Sequence, residues 1–290
     1  MADNPKFIDS PLMAPATGDG EPPVRSLLFN PGCSLGWYAG CGDGTSVAKQ
    51  DAMIDALDQY GANAMALNLM NEDLSSPFKG EYMASDLDPR KVGLFRDFVL
   101  RLKYRGKLVA IVFYDGDEQS FRRTGSKYPF HRFMDRHAAF MAQVVGEFRY
   151  LADAFIIGIE SNRYASIEQV EQAIALCKLL AIRTGREGET VRVPVGTHEQ
   201  NVSKLGAGRF SLRRRVPVNA DFHGFETSNH PYHGHERSAD DMKQEVQFLR
   251  DNCAVPIWVM EASDRKDDHA KAQNRAMASV PGVVGVDGVW

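Results

Sequence analysis

Two glutamates follow short apolar runs and mark where chemistry could occur. Glu160 comes directly after residues 155–159, and Glu261 comes directly after residues 256–260. Runs of this length, rich in β-branched residues, are typical of strands that are buried on both faces. Each glutamate is therefore expected at the point where a buried strand emerges from the core. Two carboxylates that share a cleft can supply a proton donor and a nucleophile.

Predicted strands and helices alternate regularly along the chain around these glutamates. Strand signals cover residues 26–29, 63–69, 108–113, 155–159, 190–195, 220–225, 257–260 and 283–286, and seven helix signals separate them. Such alternation predicts parallel strands joined by crossover helices. Eight repeats in one chain predict an α/β fold, the (β/α)8 TIM barrel, over residues 25–290, preceded by an N-terminal arm of residues 1–24.

The alternative fold is an open doubly wound sheet. No Gly-x-Gly-x-x-Gly motif opens a helix directly after the first strand, so the dinucleotide-binding version of that sheet is not favoured. Two of the connections between strands have distinct sequence patterns. A weak, basic helix is predicted around residues 203–214, and the helix that starts at Ser166 is the clearest amphipathic one.

The last strand signal is not followed by an eighth helix. The flank between the eighth and first strands is therefore expected to be covered by the N-terminal arm, by a second copy of the chain or by a larger assembly.

Composition excludes several classes of protein. The 290 residues are 43% hydrophobic and 25% charged with a net charge of -4, an ordinary globular balance that predicts neither nucleic-acid nor membrane binding. The Arg213–Arg215 run is interpreted as a solvated surface. No signal peptide or transmembrane segment is recognised, so the compartment stays open, with a cytoplasmic or assembly-associated protein as the default.

The four cysteines are too few for a disulfide scaffold. Cys177 and Cys253 are predicted to be buried thiols. Cys33 and Cys41 share one glycine-rich loop, in which a local disulfide is possible.

Polar residues gather where the predicted strands end. In a TIM barrel the active site forms at the C-terminal ends of the strands. Burying many polar groups is costly unless they contact one another, water or a ligand. The residues predicted to bind substrate there are Asn30, Asn71, Asp115, Asn162, His198, His223, Glu226, Tyr232 and Trp290.

With glutamates after the fourth and seventh strands, the chain resembles the clan of TIM-barrel retaining glycoside hydrolases. The resemblance covers most of the chain as a pattern. It implies that Glu160 is the acid/base and Glu261 the nucleophile, that the substrate is a β-linked glycan or glycoside, and that no cofactor or metal is needed. His198, Tyr232 and Trp290 match a histidine, an aromatic residue and a tryptophan common in the clan. Ile159 stands where most members have an asparagine.

Three alternatives are also compatible with these residues. Glu226 is a rival carboxylate for the role of Glu261. A non-catalytic barrel that binds glycan or serves as an assembly part would have the same fold, and the missing eighth helix favours it. A metal-dependent hydrolase would use histidines, of which His230, His233 and His235 are close together in one loop.

Overall fold

The structure is a computed structural model. It describes residues 22, 24–29, 47–69, 87, 89–113, 134–158, 161–185, 187–206, 208–227, 237–260, 267–288 and 290. Its strands are β1 (Val24–Phe29), β2 (Ala64–Leu69), β3 (Leu108–Phe113), β4 (Ala154–Ile157), β5 (Ile182–Thr184), β6 (Thr190–Arg192), β7 (Val195–Glu199), β8 (Val202–Gly206), β9 (Arg209–Leu212), β10 (Phe222–Glu226), β11 (Ile257–Met260) and β12 (Val283–Asp287). Its helices are α1 (Val47–Gln59), α2 (Pro89–Tyr104), α3 (Met134–Phe148), α4 (Ile167–Leu180), α5 (Ala239–Asp251) and α6 (Asp268–Ala278).

Eight parallel strands close into a barrel in the order β1-β12-β11-β10-β7-β4-β3-β2. The prediction of a TIM barrel is therefore confirmed. Helices flank the strands, and α4 starts directly after Ser166, as the sequence predicts. The Ser166 hydroxyl accepts from the Gln169 backbone N–H, and the Gln169 side chain accepts from the Ser166 backbone N–H, which together form a capping box. Cys177 and Cys253 are buried free thiols, as expected.

The interior of the barrel is filled by two large rings among small residues. Phe222 and Trp258 lie in one apolar cluster with several alanines, and their ring centroids are 5.6 Å apart. Gly196 leaves the space for the first ring, because a Cβ atom there would lie 2.3 Å from Phe222. The Trp258 indole N–H donates to Ser26 Oγ at 2.9 Å, so the polar edge of the ring is satisfied inside the barrel.

Two sequence predictions about the connections are wrong. The barrel strand is β7 rather than residues 190–195, because Thr190–Arg192 pairs instead with Ile182–Thr184 in an antiparallel hairpin. The predicted helix at residues 203–214 is the hairpin β8–β9. Val202, Phe210 and Leu212 pack on the apolar cluster outside the barrel, and Gly208 adopts φ +63 at the turn, which favours a glycine.

Trp290 covers part of the flank between β12 and β1. Its side chain is partly buried and packs against the outer apolar cluster that includes Val286. Its backbone N–H donates to the Tyr60 carbonyl at 3.0 Å, so it lies beside the C-terminal end of α1. Apart from Pro22 and Val24, the predicted N-terminal arm lies outside the described residues.

Candidate active site

Polar side chains meet at the C-terminal ends of three neighbouring strands, β4, β7 and β10. Because side chains alternate along a strand, Phe222 inside the barrel places Glu226 on the inner face of β10. Gly196 faces the Phe222 ring, so His198 is on the inner face of β7, and Gln200 follows two residues later. The register aligns the two strands, with His198 opposite Gly224.

Gln200 connects the three strand ends. Its side-chain amide donates to Glu226 Oε1 at 3.1 Å, and its side-chain oxygen accepts from Arg213 at 2.7 Å and from Arg163 at 3.2 Å. Its backbone N–H donates to Asn162 Oδ1 at 3.0 Å, and its carbonyl accepts from Asn162 Nδ2 at 2.9 Å. One buried side chain thus links the segment after β4 to the ends of β7 and β10.

A charged contact lies on the outer face of β7. The Glu199 side chain is fully buried, and its Oε1 accepts from the Ser161 hydroxyl at 3.0 Å and from the Arg214 guanidinium. A second nitrogen of Arg214 donates to the Ala165 carbonyl at 2.6 Å. The interpretation of the arginine run as solvated surface is therefore wrong for Arg214, whose side chain is only 18% exposed.

Two buried histidines lie on opposite faces of the barrel wall. The His223 ring Nδ1 is 2.9 Å from the Thr197 hydroxyl, and Thr197 shares the outer face of β7 with Val195, which belongs to the outer core. His198 is on the inner face and is fully buried. Neither of its ring nitrogens has a hydrogen-bond partner within the described part of the chain.

Burial decides the charge of both rings. Burial, with a smaller contribution from the nearby His223, lowers the pKa of His198 to about 3. Burial, with a smaller contribution from the positive Arg214, lowers the pKa of His223 to about 3. Both imidazoles are therefore neutral near pH 7, so each has one N–H donor and one acceptor nitrogen. On the inner face, His198 can accept and donate to a hydroxyl-bearing ligand.

Other buried polar groups are also unsatisfied at this end of the barrel. The side chains of Asn201 and Thr227 are fully buried, and their polar atoms have no hydrogen-bond partner among the residues that the structure describes. Leaving such a group unpaired costs about 1–3 kcal/mol. Of these three residues only His198 is on the inner face, and its ring nitrogens need ordered water, a ligand or groups outside the described residues as partners.

Three of the predicted substrate-binding residues come together: Asn162, His198 and Glu226 all lie at these strand ends. The structure does not bring His223 to them, since it lies on the outer face, nor Trp290, which lies beside Tyr60. The remaining predicted residues lie outside the described residues, namely Glu160, Glu261, Asn30, Asn71, Asp115 and Tyr232.

Sequence reasoning missed Glu199, Gln200, Ser161, Arg213 and Arg214 as parts of this network. A signal was present for the first two, because they directly follow His198 at the end of a strand. No comparable signal existed for the arginines, which are brought to β7 by the hairpin β8–β9 that the sequence reading took for a helix.

No metal centre is found within the described ranges, which contain no cluster of three or more histidine, cysteine, aspartate or glutamate side chains suited to a metal ion. The loop histidines His230, His233 and His235 lie outside those ranges. Among the described helices, none has the length and apolar character needed to cross a membrane.

Comparison with protein families and with curated proteins finds no match for this chain. Solved structures share its fold at low sequence identity. The exo-β-1,4-mannosidase Op5Man5 from Opitutaceae bacterium strain TAV5 has a TM-score of 0.58 and 14% identity, with 97% of this chain and 54% of that chain covered. A GH5_18 protein from Bifidobacterium longum subsp. infantis has a TM-score of 0.60 and 12% identity, with 91% and 68% covered.

A GH1 β-glucosidase from Exiguobacterium antarcticum B7 has a TM-score of 0.56 and 11% identity, with 94% of this chain and 88% of that chain covered. This chain spans about half of the length of the mannosidase. At these identities the likeness shows the fold, which is the barrel of several glycosidases.

Proposed function

We propose that the chain is a retaining glycoside hydrolase that acts on a β-linked glycan or glycoside, with Glu160 as acid/base and Glu261 as nucleophile. The observation that carries the proposal is the polar network at the ends of β4, β7 and β10. It begins at Ser161, the residue bonded to Glu160, and continues through Gln200 to Glu226 on the inner face. A site of this composition suits a ligand rich in hydroxyl groups.

The proposed reaction has two steps. In the first, the Glu261 carboxylate attacks the anomeric carbon, the glycosidic bond breaks, and the leaving oxygen takes its electron pair and the proton of Glu160. In the second, water attacks the anomeric carbon, gives a proton to the Glu160 carboxylate and releases Glu261. His198 and Glu226 are proposed to bind sugar hydroxyls, the neutral histidine as donor or acceptor and the carboxylate as acceptor.

The names of the structural neighbours suggest the first substrates to try. They include a β-1,4-mannosidase and β-glucosidases, and one GH5_18 structure was determined in complex with Manb1-4GlcNAc. Activated aryl β-mannosides and β-glucosides are therefore suitable probes, together with the corresponding 2-fluoroglycosides.

The test compares Glu160→Gln with Glu261→Gln. Removing the nucleophile should abolish formation of any covalent glycosyl adduct. Removing the acid/base should still allow an activated 2-fluoroglycoside to label Glu261, and added azide should restore turnover of an activated aryl glycoside, since azide needs no deprotonation. Intact-mass spectrometry measures the adduct, and Glu187→Gln, a change in an exposed turn, serves as the control and should behave like wild type.

Several results would overturn these assignments. An adduct on Glu261→Gln would remove Glu261 from the nucleophile role, and loss of the adduct in Glu226→Gln alone would transfer the role to Glu226. If wild type binds glycans but neither cleaves nor labels with any glycoside tried, the non-catalytic barrel is the better explanation.

A further inference from the structure

The segment of residues 161–165, which directly follows Glu160, is held to the end of β7 at several points. At its start, the Ser161 hydroxyl donates to Glu199 Oε1 at 3.0 Å. Next, the Asn162 amide pairs with both the N–H and the carbonyl of Gln200. At its end, the Ala165 carbonyl accepts from Arg214 at 2.6 Å. The start, the middle and the end of this short segment are therefore all fixed.

Glu199 and Arg214 are the charged centre of this attachment. The Glu199 carboxylate accepts from Ser161 and from Arg214, while the same guanidinium reaches Ala165. The two terminal nitrogens of Arg214 thus connect Glu199 on β7 to Ala165 at the end of the segment. The Glu199 carboxylate connects β7 to Ser161 at its start. Burying Glu199 fully and Arg214 mostly is expensive, and a buried ion pair is often no more stabilising than apolar residues of similar volume. A role in fixing geometry accounts better for such a pair than a role in stability alone.

We propose that Glu199 and Arg214 are positioning residues that hold the acid/base Glu160 at the geometry needed for proton transfer, an inference that rests on the proposed function. Glu160 is covalently bonded to Ser161, so the position of the segment limits where its carboxyl can be. Catalytic groups must be held within about 0.5 Å of the productive geometry. Proton transfer also requires hydrogen-bond reach of the leaving oxygen.

The test separates proton transfer from folding by the choice of leaving group. Glu199→Gln and Arg214→Gln are compared with wild type on an unactivated glycoside, whose leaving group needs a proton, and on an activated aryl glycoside, whose leaving group does not. For the unactivated substrate, kcat/KM should fall roughly 10- to 100-fold, since a misplacement of about 1 Å can cost about 10²-fold. For the activated substrate, kcat/KM reports only the first step and should stay within about twofold of wild type.

Two further readouts follow from the same reasoning. For the activated substrate, kcat should fall because the second step also needs Glu160 as base, and azide should restore it. The matched control is Arg215→Gln, which removes the neighbouring arginine and its ion pair with Glu171 at an exposed site. This control should keep wild-type values for both substrates.

Contrary outcomes distinguish this inference from the function on which it rests. If wild type is active and both substrates lose kcat/KM in parallel after correction for the folded fraction, the pair is structural and the inference fails alone. If Glu199→Gln and Arg214→Gln keep wild-type kinetics on both substrates, it also fails alone. If wild type cleaves neither glycoside, the proposed function fails and the inference fails with it.

Discussion

Acidification from pH 7 to pH 5 should destabilise the protein through its two buried neutral histidines, His198 and His223. The pKa of each is lowered from 6.5 to about 3 in the folded state, mainly by burial. The unfolded chain therefore binds protons at pH 5 that the folded chain does not. For a lowered folded pKa, the stabilisation is fully present above the unfolded value and is lost as the pH falls from about 6.5 toward 3.

The size of the effect follows from the two pKa values. At pH 5 the solution is 1.5 units below the unfolded value, and each pH unit of unequal protonation is worth about 1.36 kcal/mol. Each histidine should therefore lower the free energy of unfolding by about 2 kcal/mol between pH 7 and pH 5, and the two together by about 4 kcal/mol. Domains are typically stable by only about 5–15 kcal/mol, so the loss is easily measured.

Urea unfolding at pH 8, 7, 6 and 5, followed by tryptophan fluorescence, measures this loss for wild type, His198→Gln, His223→Gln and the double variant. Each single variant should lose about 2 kcal/mol less than wild type between pH 7 and pH 5, whatever its stability at pH 7. The interval from pH 8 to pH 7 is the internal control and should not distinguish the four proteins. A double variant that keeps the full pH dependence of wild type would refute the burial argument.

Two further predictions concern the metal independence of the proposed hydrolysis and the packing of two glycines. Glycoside hydrolysis should be unaffected by EDTA, because a carboxylate pair needs no metal, whereas loss of activity that zinc restores would favour a metal-dependent hydrolase. Gly224→Ala should destabilise the barrel by at least about 1–3 kcal/mol, as overpacking does, because its Cβ would lie 2.1 Å from the Thr197 carbonyl oxygen. Gly146→Ala, in α3 with nothing within 4 Å, should instead stabilise by roughly 0.5–1 kcal/mol through helix propensity. Urea unfolding compares the two variants, and equal effects would contradict the packing argument.

The barrel could be predicted because its signals are local and repeated. Short apolar runs such as residues 108–113 and 155–159 are predicted to be buried strands, and the structure has β3 at Leu108–Phe113 and β4 at Ala154–Ile157. Helix starts are also local, since a serine such as Ser166 or Ser238 caps the helix that follows it. Such features depend on a few neighbouring residues, so they can be recognised without knowledge of the tertiary structure.

The two hairpins could not be predicted in the same way. β5 and β6 are only three residues each, too short for a clear period. In β8–β9 the apolar residues are few. Val202 is buried and Phe210 and Leu212 are partly buried against the outer cluster beside Phe248, whereas Leu205 is exposed. The error had a consequence for the site, since this hairpin leads directly into Arg213 and Arg214, and a helix there would have placed both elsewhere.

The sequence also does not show on which face of the barrel wall a side chain lies. His198 follows the predicted strand of residues 190–195 and His223 lies within the predicted strand of residues 220–225, and both are predicted to bind substrate. In the structure, alternation places His198 inside the barrel and His223 outside. A shift of one residue in the assumed start of β7 or β10 would exchange the two faces. Strand ends can therefore be predicted as polar from the sequence, but which of their side chains share the cleft depends on the register.

The side-chain amide of Asn162, a predicted substrate-binding residue, is occupied by the backbone at the end of β7. Most members of the resembled clan have an asparagine before the acid/base, and here that position is Ile159. The side-chain amide of Asn162 pairs with both backbone groups of Gln200, as a peptide group in a neighbouring strand would. This pairing extends the attachment between β4 and β7 beyond the last paired residues, Ile157 and Thr197. Because the amide is occupied in this way, the proposed hydrolase would need another group, such as His198 on the inner face, to contact the sugar 2-hydroxyl.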